Sequence, residues 1–262
     1  MIRWLRVFFV GGVIAYRGLF NWIRPYIYIP TMLGSPLFQM IFFTKLGQYA
    51  QAEDSAFYVV GNAVQVCSMA AIYGMTMAIA NERQFQTLGP LLATPANRAA
   101  VFLGRGIPVL ANGLLVSAFG FTVGVLLLDF RPGWDVVPAL AAVVLVTAAS
   151  CTAFGMLLGS IGLAAKDVFF ASNLAYFLML LFCGVNIPLA ELPDWMASVG
   201  RCLPLTHGIA AAREVAAGAQ LADVSGLVWT EFGIGAAYAL AGFLVFRLLE
   251  RESRRRAVLD TL

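Results

Sequence analysis

The chain is 262 residues long, 61% hydrophobic and only 12% charged, with a formal net charge of +3 and a mean hydropathy of +0.84. A soluble fold of that composition would have too little polar surface to cover its core, and the basic residues sit mainly between and beside apolar runs rather than in a phosphate-binding stripe, which argues against nucleic acid as a partner. What is left is an integral membrane protein, most economically one polytopic domain.

Residues 1–25 begin with Met1 to Arg6 and an apolar run from Val7 to Tyr16. The run has the length of a signal-peptide core, but no small-residue cleavage site follows it and Arg17 comes next. At about 100° per residue, Arg3, Arg6, Arg17 and Arg24 fall within about 60° of one another, while Trp4, Phe8, Leu19 and Trp22 gather elsewhere. That pattern predicts an interfacial helix on the cytoplasmic leaflet, with Trp at headgroup depth, ending before Pro25. Gly11 and Gly12 weaken its continuity.

Six apolar stretches follow: Ile27 to Leu46, Phe57 to Ala80, Gly106 to Leu128, Val136 to Gly159, Val168 to Leu189 and Leu227 to Leu248. Each meets the roughly 20 residues that a helix needs to cross hydrocarbon. An even number of crossings puts both termini on one side. Lys45, Arg131, Arg201 and Arg213 then face one way and the other 13 of the 17 basic residues face the other, which makes the termini, including a tail over 249–262, cytoplasmic.

The span interiors carry neutral polar groups, notably Gln39, Asn62, Gln65, Asn112, Ser150, Thr152, Asn173 and Asn186, with Glu231 a few residues inside the last span. An ion-coupled transporter holds its driving ion on buried ionisable groups, and these spans are nearly bare of them. The neutral groups either join helices by hydrogen bonds or line a path, and composition leaves both open.

Enzymatic chemistry has little to work with. His207 is the one histidine, so two-histidine metal motifs are impossible. No Gly-x-Ser-x-Gly elbow is present, and neither Lys45 nor Lys166 stands in a phosphate-cradling G-x-x-x-x-G-K-[ST] run. Cys67, Cys151, Cys183 and Cys202 show no metal spacing; Cys183 and Cys202 both lie toward the outer face, and whether they pair is open. Gly120-x-x-x-Gly124 and Gly155-x-x-x-Gly159 allow close helix approach.

Two loops carry more information. Between the second and third spans stand Glu82-Arg83, Thr87-Leu88, Leu91-Leu92, Thr94-Pro95 and Gly104-Arg105. Phe85, Leu88 and Leu92 recur at helical spacing with Glu82, Arg83 and Gln86 beside them, a short amphipathic helix for docking on a soluble partner or for lying on lipid. After the fifth span come Asn186-Ile187-Pro188, Leu192-Pro193-Asp194-Trp195, Leu203-Pro204-Leu205-Thr206 and Ala212-Arg213.

The first loop resembles the cytoplasmic coupling region of ABC type-2 transporter permeases, and the second resembles that family's extracytoplasmic segment of short re-entrant helices. Both occur in the family's order, so the likeness covers the whole chain. It implies an all-α integral membrane fold of six spans over 26–248, with coupling region 81–105 and re-entrant segment 187–226. It implies a permease subunit of an ABC exporter in the bacterial cytoplasmic (inner) membrane, paired with a second permease copy, identical or paralogous. A separate ATPase subunit pair would carry ATP and Mg, and this chain would hold no cofactor.

Coupling then falls to Glu82, Arg83, Phe85, Leu88 and Leu92. The path falls to the first, second and fifth spans, with Gln39, Asn62, Gln65 and Asn173 as polar lining and Phe38, Phe42 and Phe177 as apolar contacts. The family's usual Thr-Leu-Glu reads Thr87-Leu88-Gly89 here, followed by Pro90, which removes an acidic contact and shifts docking toward Glu82, Arg83 and Phe85. The run from Tyr26 to Pro36 is closer to drug-type and nodulation-type exporters than to polysaccharide exporters, favouring a drug, a lipid or a lipid-linked glycan as cargo. A membrane-embedded lipid-modifying enzyme and a non-transporting scaffold are the rival expectations.

Overall fold

The computed structural model describes residues 29–50, 53–84, 98–162 and 168–256, and every regular element among them is helical. A π-helical turn over Ile29–Gly34 leads into α1 (Ser35–Ala50). The helices α2 (Ser55–Gln84), α3 (Arg98–Leu127) and α4 (Val137–Gly162) follow. Then come α5 (Val168–Phe182), a 3₁₀ turn over Leu189–Glu191, and two short helices, α6 (Asp194–Cys202) and α7 (Thr206–Ala216). The last helix, α8, runs from Ser225 to Arg256, well into the stretch that the apolar pattern leaves as a tail.

Among the described residues, four helices are long and apolar enough to cross a bilayer: α2, α3, α4 and α8. The first and fifth expected spans correspond to shorter helices, α1 with 16 residues and α5 with 15. The apolar run of the fifth continues to Leu189, but its helix stops at Phe182 and Gly184 takes φ +73°, a left-handed conformation open to glycine. The expected interfacial helix over 1–25 and the coupling residues Phe85, Leu88 and Leu92 lie outside the described residues.

The core is built around α2. More than three quarters of its apolar window is buried (78%), against 17% for α8. Glycines set how closely its neighbours approach. A Cβ on Gly120 of α3 would stand 3.1 Å from Ala63 Cα, and one on Gly155 of α4 would stand 3.0 Å from both Ile72 Cα and its carbonyl oxygen. The two Gly-x-x-x-Gly pairs therefore seat α3 and α4 on α2 within one chain. In turn α8 seats on α4 through Gly235 and Gly242, whose added Cβ atoms would meet Ser150 Cα at 2.9 Å and the Leu157 nitrogen at 3.0 Å. Hydroxyls join the same seams, with Ser117 Oγ donating to the Ala63 carbonyl (2.8 Å) and Thr76 Oγ1 to the Gly155 carbonyl (3.1 Å).

A consequence for stability follows from the backbone contacts at Gly155. A Gly155→Val chain loses about 1–3 kcal/mol by overpacking, read as a lower unfolding temperature in detergent. Gly233→Ala, inside α8 at a position with open space around it, does not lower that temperature and raises it slightly, since alanine loses less backbone freedom than glycine in a helix.

Candidate functional site

Two constellations of polar side chains join the helices. The first lies where α1, α2 and α5 meet. Gln39 Nε2 donates to Asn62 Oδ1 at 3.1 Å, and Tyr176 Oη donates to Gln39 Oε1 at 2.8 Å. Asn62 Nδ2 donates to Asn186 Oδ1 at 2.8 Å and to the Tyr58 carbonyl at 2.9 Å. Buried amides in an apolar surround need such partners, and besides the Tyr58 carbonyl of α2 itself the partners come from α1, α5 and the bend after α5. Gln65 is fully buried beside Tyr176.

The expected path residues divide by depth. Gln39, Asn62 and Gln65 turn into the junction of α1, α2 and α5, and Asn173 is exposed and accepts a 2.6 Å bond from Tyr73 Oη. The three phenylalanines point outward: Phe38 is 72% exposed, Phe42 60% and Phe177 61%. They form the outer surface of α1 and α5, with Leu46, Phe170 and Leu174 also exposed on those helices.

The second constellation fixes α7 at both ends. Its N-cap residue, Leu205, has φ +96° and an apolar side chain, so nothing local can satisfy the first N–H groups of the helix. Glu231 of α8, 1% exposed, supplies the cap. Its Oε1 accepts the Leu205 N–H at 2.8 Å and its Oε2 accepts the Gly208 N–H at 3.1 Å. A carboxylate at a helix N-terminus is also favoured by the helix dipole.

At the other end, the guanidinium of Arg213 gathers three carbonyls from two other segments. It donates to the Gly184 carbonyl (2.8 Å), the Val185 carbonyl (2.8 Å) and the Phe57 carbonyl (3.2 and 3.3 Å), and lies over the Phe57 ring 3.4 Å from its centroid. Burial lowers its pKa to about 9, with the nearby Glu53 carboxylate acting the other way, and it stays charged at neutral pH. Gly61 makes room for it, since a Cβ there would collide with the Val185 carbonyl and the guanidinium.

Three further bonds close the end of α6. Thr206 Oγ1 donates to the Gly200 carbonyl (2.6 Å), His207 Nε2 sits 3.1 Å from the Arg201 carbonyl, and Tyr238 Oη donates to the Cys202 carbonyl (3.1 Å). The single histidine is thus a capping residue. All four cysteines are free, with Cys183 buried and Cys202 exposed.

At the opposite end of α2, the helix continues to Gln84, past the end of its apolar window at Ile79, and carries Glu82 and Arg83 on its last turn. Arg105, which closes the coupling pattern, donates from Nη1 to the Ala78 carbonyl at 3.2 Å and ties α3 to that end of α2.

A family model described as ABC-2 type transporter matches residues 12–216, more than three quarters of the chain. The chain belongs to the ABC-2 type transporter family. A comparison with curated proteins finds no match. The ABC-2 match runs from before α1 to the end of α7, so it takes in the amide junction and Arg213. Glu231 lies beyond it, on α8.

This ABC-2 chain is a multi-pass membrane protein, and its family is one of transport subunits that pair with an ATPase. Glu231 and Arg213 as the two anchors of α7 were not singled out by sequence reasoning. The available signal was Glu231 itself, one carboxylate among the apolar residues of a span, where an ionisable group needs a partner.

Proposed function

We propose that this chain is the membrane-spanning permease of an ATP-driven exporter, with six crossings, both termini in the cytoplasm, and a hydrophobic or amphipathic cargo moved outward. The observation that carries the reading is the ABC-2 match over 12–216. The short α1 and α5 serve as the first and fifth crossings in this reading. The π-helical turn before α1 and the irregular segment after α5 make up the remaining thickness. Both flank helices that are tied to α2 by hydrogen bonds rather than left bare to lipid.

A second permease copy would lie against the outward phenylalanines of α1 and α5, with the cargo passing between the two. The exposure of Phe38, Phe42 and Phe177 supports that placement, because large apolar side chains on the surface suit contact with apolar cargo or partner. The amides beneath them would act by holding α1 and α5 on α2 as a unit. The short helices α6 and α7 would form the outer re-entrant segment. Residues 81–105 would grip a cytoplasmic ATPase pair, which supplies ATP and Mg, and Arg105 would pass its movement directly to the end of α2.

Phe85→Asp tests the coupling role. A charge placed in an apolar docking groove is poorly tolerated, so the variant reaches the membrane at normal levels but loses the ATPase in affinity purification, or retains it with no transport. Normal assembly together with normal transport would overturn the coupling assignment.

A further inference from the structure

The short helix α6 faces three different surroundings. Ala197 and Gly200 are buried, and a Cβ on Gly200 would collide with the Phe182 carbonyl at the end of α5. Trp195 (63% exposed) and Val199 (44%) are open, and so are Asp194, Ser198, Arg201 and Cys202. The open residues separate by chemistry around the axis. At about 100° per residue, Asp194, Ser198 and Arg201 share an arc of about 60°, and Cys202, Trp195 and Val199 share the next arc of about 60°. Ala197 and Gly200 complete the circle.

Packing holds the helix at that rotation. The Trp195 ring meets the Phe182 ring edge to face at 5.9 Å, and Gly200 rests on the same residue, so α6 lies across the tip of α5 rather than continuing it. At its C-terminal end the Cys202 carbonyl accepts the Tyr238 hydroxyl of α8.

One solvent cannot serve both open arcs. In water alone, Trp195 and Val199 would be apolar surface left uncovered. In hydrocarbon alone, Asp194 and Arg201 would be ionisable groups in lipid. A boundary running along the helix serves both, as it does for amphipathic helices that lie in the membrane interface.

Two further observations put lipid on the apolar arc. The helix against which α6 ends, α8, has the least buried apolar window of the four long helices, so the arc continues a surface that a membrane span shows to lipid. Exposed tryptophans also mark this end of the bundle. Trp134 follows α3, whose Gly124 stands against Val59 near the start of α2, and Trp229 lies in the first two turns of α8. Tryptophan is enriched where spans meet the membrane–water boundary.

We propose that α6 lies in the plane of the membrane–water boundary and binds phospholipid through Trp195 and Val199, with acyl chains on that arc and water on Asp194, Ser198 and Arg201. Of the two short helices, α7 is the enclosed one, with Gly208 against Thr147 of α4. The inference needs only that the chain spans a membrane and holds whether or not it exports anything.

The test uses the purified full chain in phosphatidylcholine nanodiscs. Cys202→Ser removes the exposed cysteine and leaves three buried ones. In that background a nitroxide is attached in turn to Trp195→Cys, Ser198→Cys, Val199→Cys and Arg201→Cys. Its collisions with oxygen, which concentrates in lipid, are compared with its collisions with a water-soluble nickel complex. Oxygen prevails at 195 and 199 and nickel at 198 and 201, a reversal within one short helix. Nickel prevailing at all four positions, or oxygen at all four, overturns the proposal. So does shielding of 195 and 199 from both reagents, the result expected if a second copy of the chain or another protein covers the arc. A photoreactive phosphatidylcholine with a diazirine high in its acyl chain repeats the test on the unaltered chain. Mass spectrometry then finds adducts on Trp195 and Val199 and none on Ser198 or Arg201, and an α6 without adducts overturns the proposal with no variant involved.

Discussion

Replacing Glu231 with leucine lowers the unfolding temperature of the detergent-purified chain by roughly 6–12 °C, from about 2–4 °C per kcal/mol for a chain of this size class and about 3 kcal/mol lost. The loss arises because the Leu205 and Gly208 N–H groups, both buried, have no other acceptor within the cap. Leu205 is already held at φ +96°, a conformation that persists only where its surroundings enforce it. Glutamine at position 231 keeps one carbonyl acceptor and gives an intermediate result. The order wild type, Gln, Leu in thermal unfolding checks the cap. Equal stability of all three would show that α7 is held by other contacts.

Arg213→Leu gives a loss of similar size, about 2–4 kcal/mol, with a different signature. The carbonyls of Phe57, Gly184 and Val185 lose their shared donor, and the ends of α2 and α5 are no longer fastened to α7. Arg213→Lys keeps the charge but not the flat fork that reaches three oxygens at once, and recovers only part of the loss. Hydrogen exchange localises the effect: faster exchange over 183–187 and at the start of α2, with the α3–α4 seam unchanged. Uniform acceleration over the whole chain would contradict the local clasp.

These anchors also explain what was legible in the sequence. The helices α2, α3, α4 and α8 follow from uninterrupted apolar length, and the segment after the fifth apolar run announces its short helices by Pro188, Pro193 and Pro204. The end of α5 could not be read that way. Its apolar run continues through Cys183 and Val185, and the chain leaves the helix there because an arginine about 30 residues later takes the freed carbonyls. The cap of α7 is equally remote, since Glu231 stands 26 and 23 residues from the N–H groups it satisfies.

Within the candidate site, polarity identified Gln39, Asn62 and Asn186 as residues of consequence, and their mutual bonding needed the fold. Periodicity could not tell that Phe38 and Phe42 face outward while Gln39 between them in the pattern turns in, because every other side chain on that turn is also compatible with lipid. The Gly-x-x-x-Gly pairs gave close approach but not the partner, which is α2 of the same chain.

The most direct measurement is co-expression of the tagged chain with the ATP-binding subunit encoded nearest its gene, followed by purification in mild detergent and determination of subunit stoichiometry by native mass spectrometry. The account predicts a complex of two membrane chains, identical or paralogous, with two ATPase chains, whose ATP hydrolysis is lost when Phe85→Asp is introduced. A chain that elutes free of every such subunit, under conditions where its fold is intact, would contradict it.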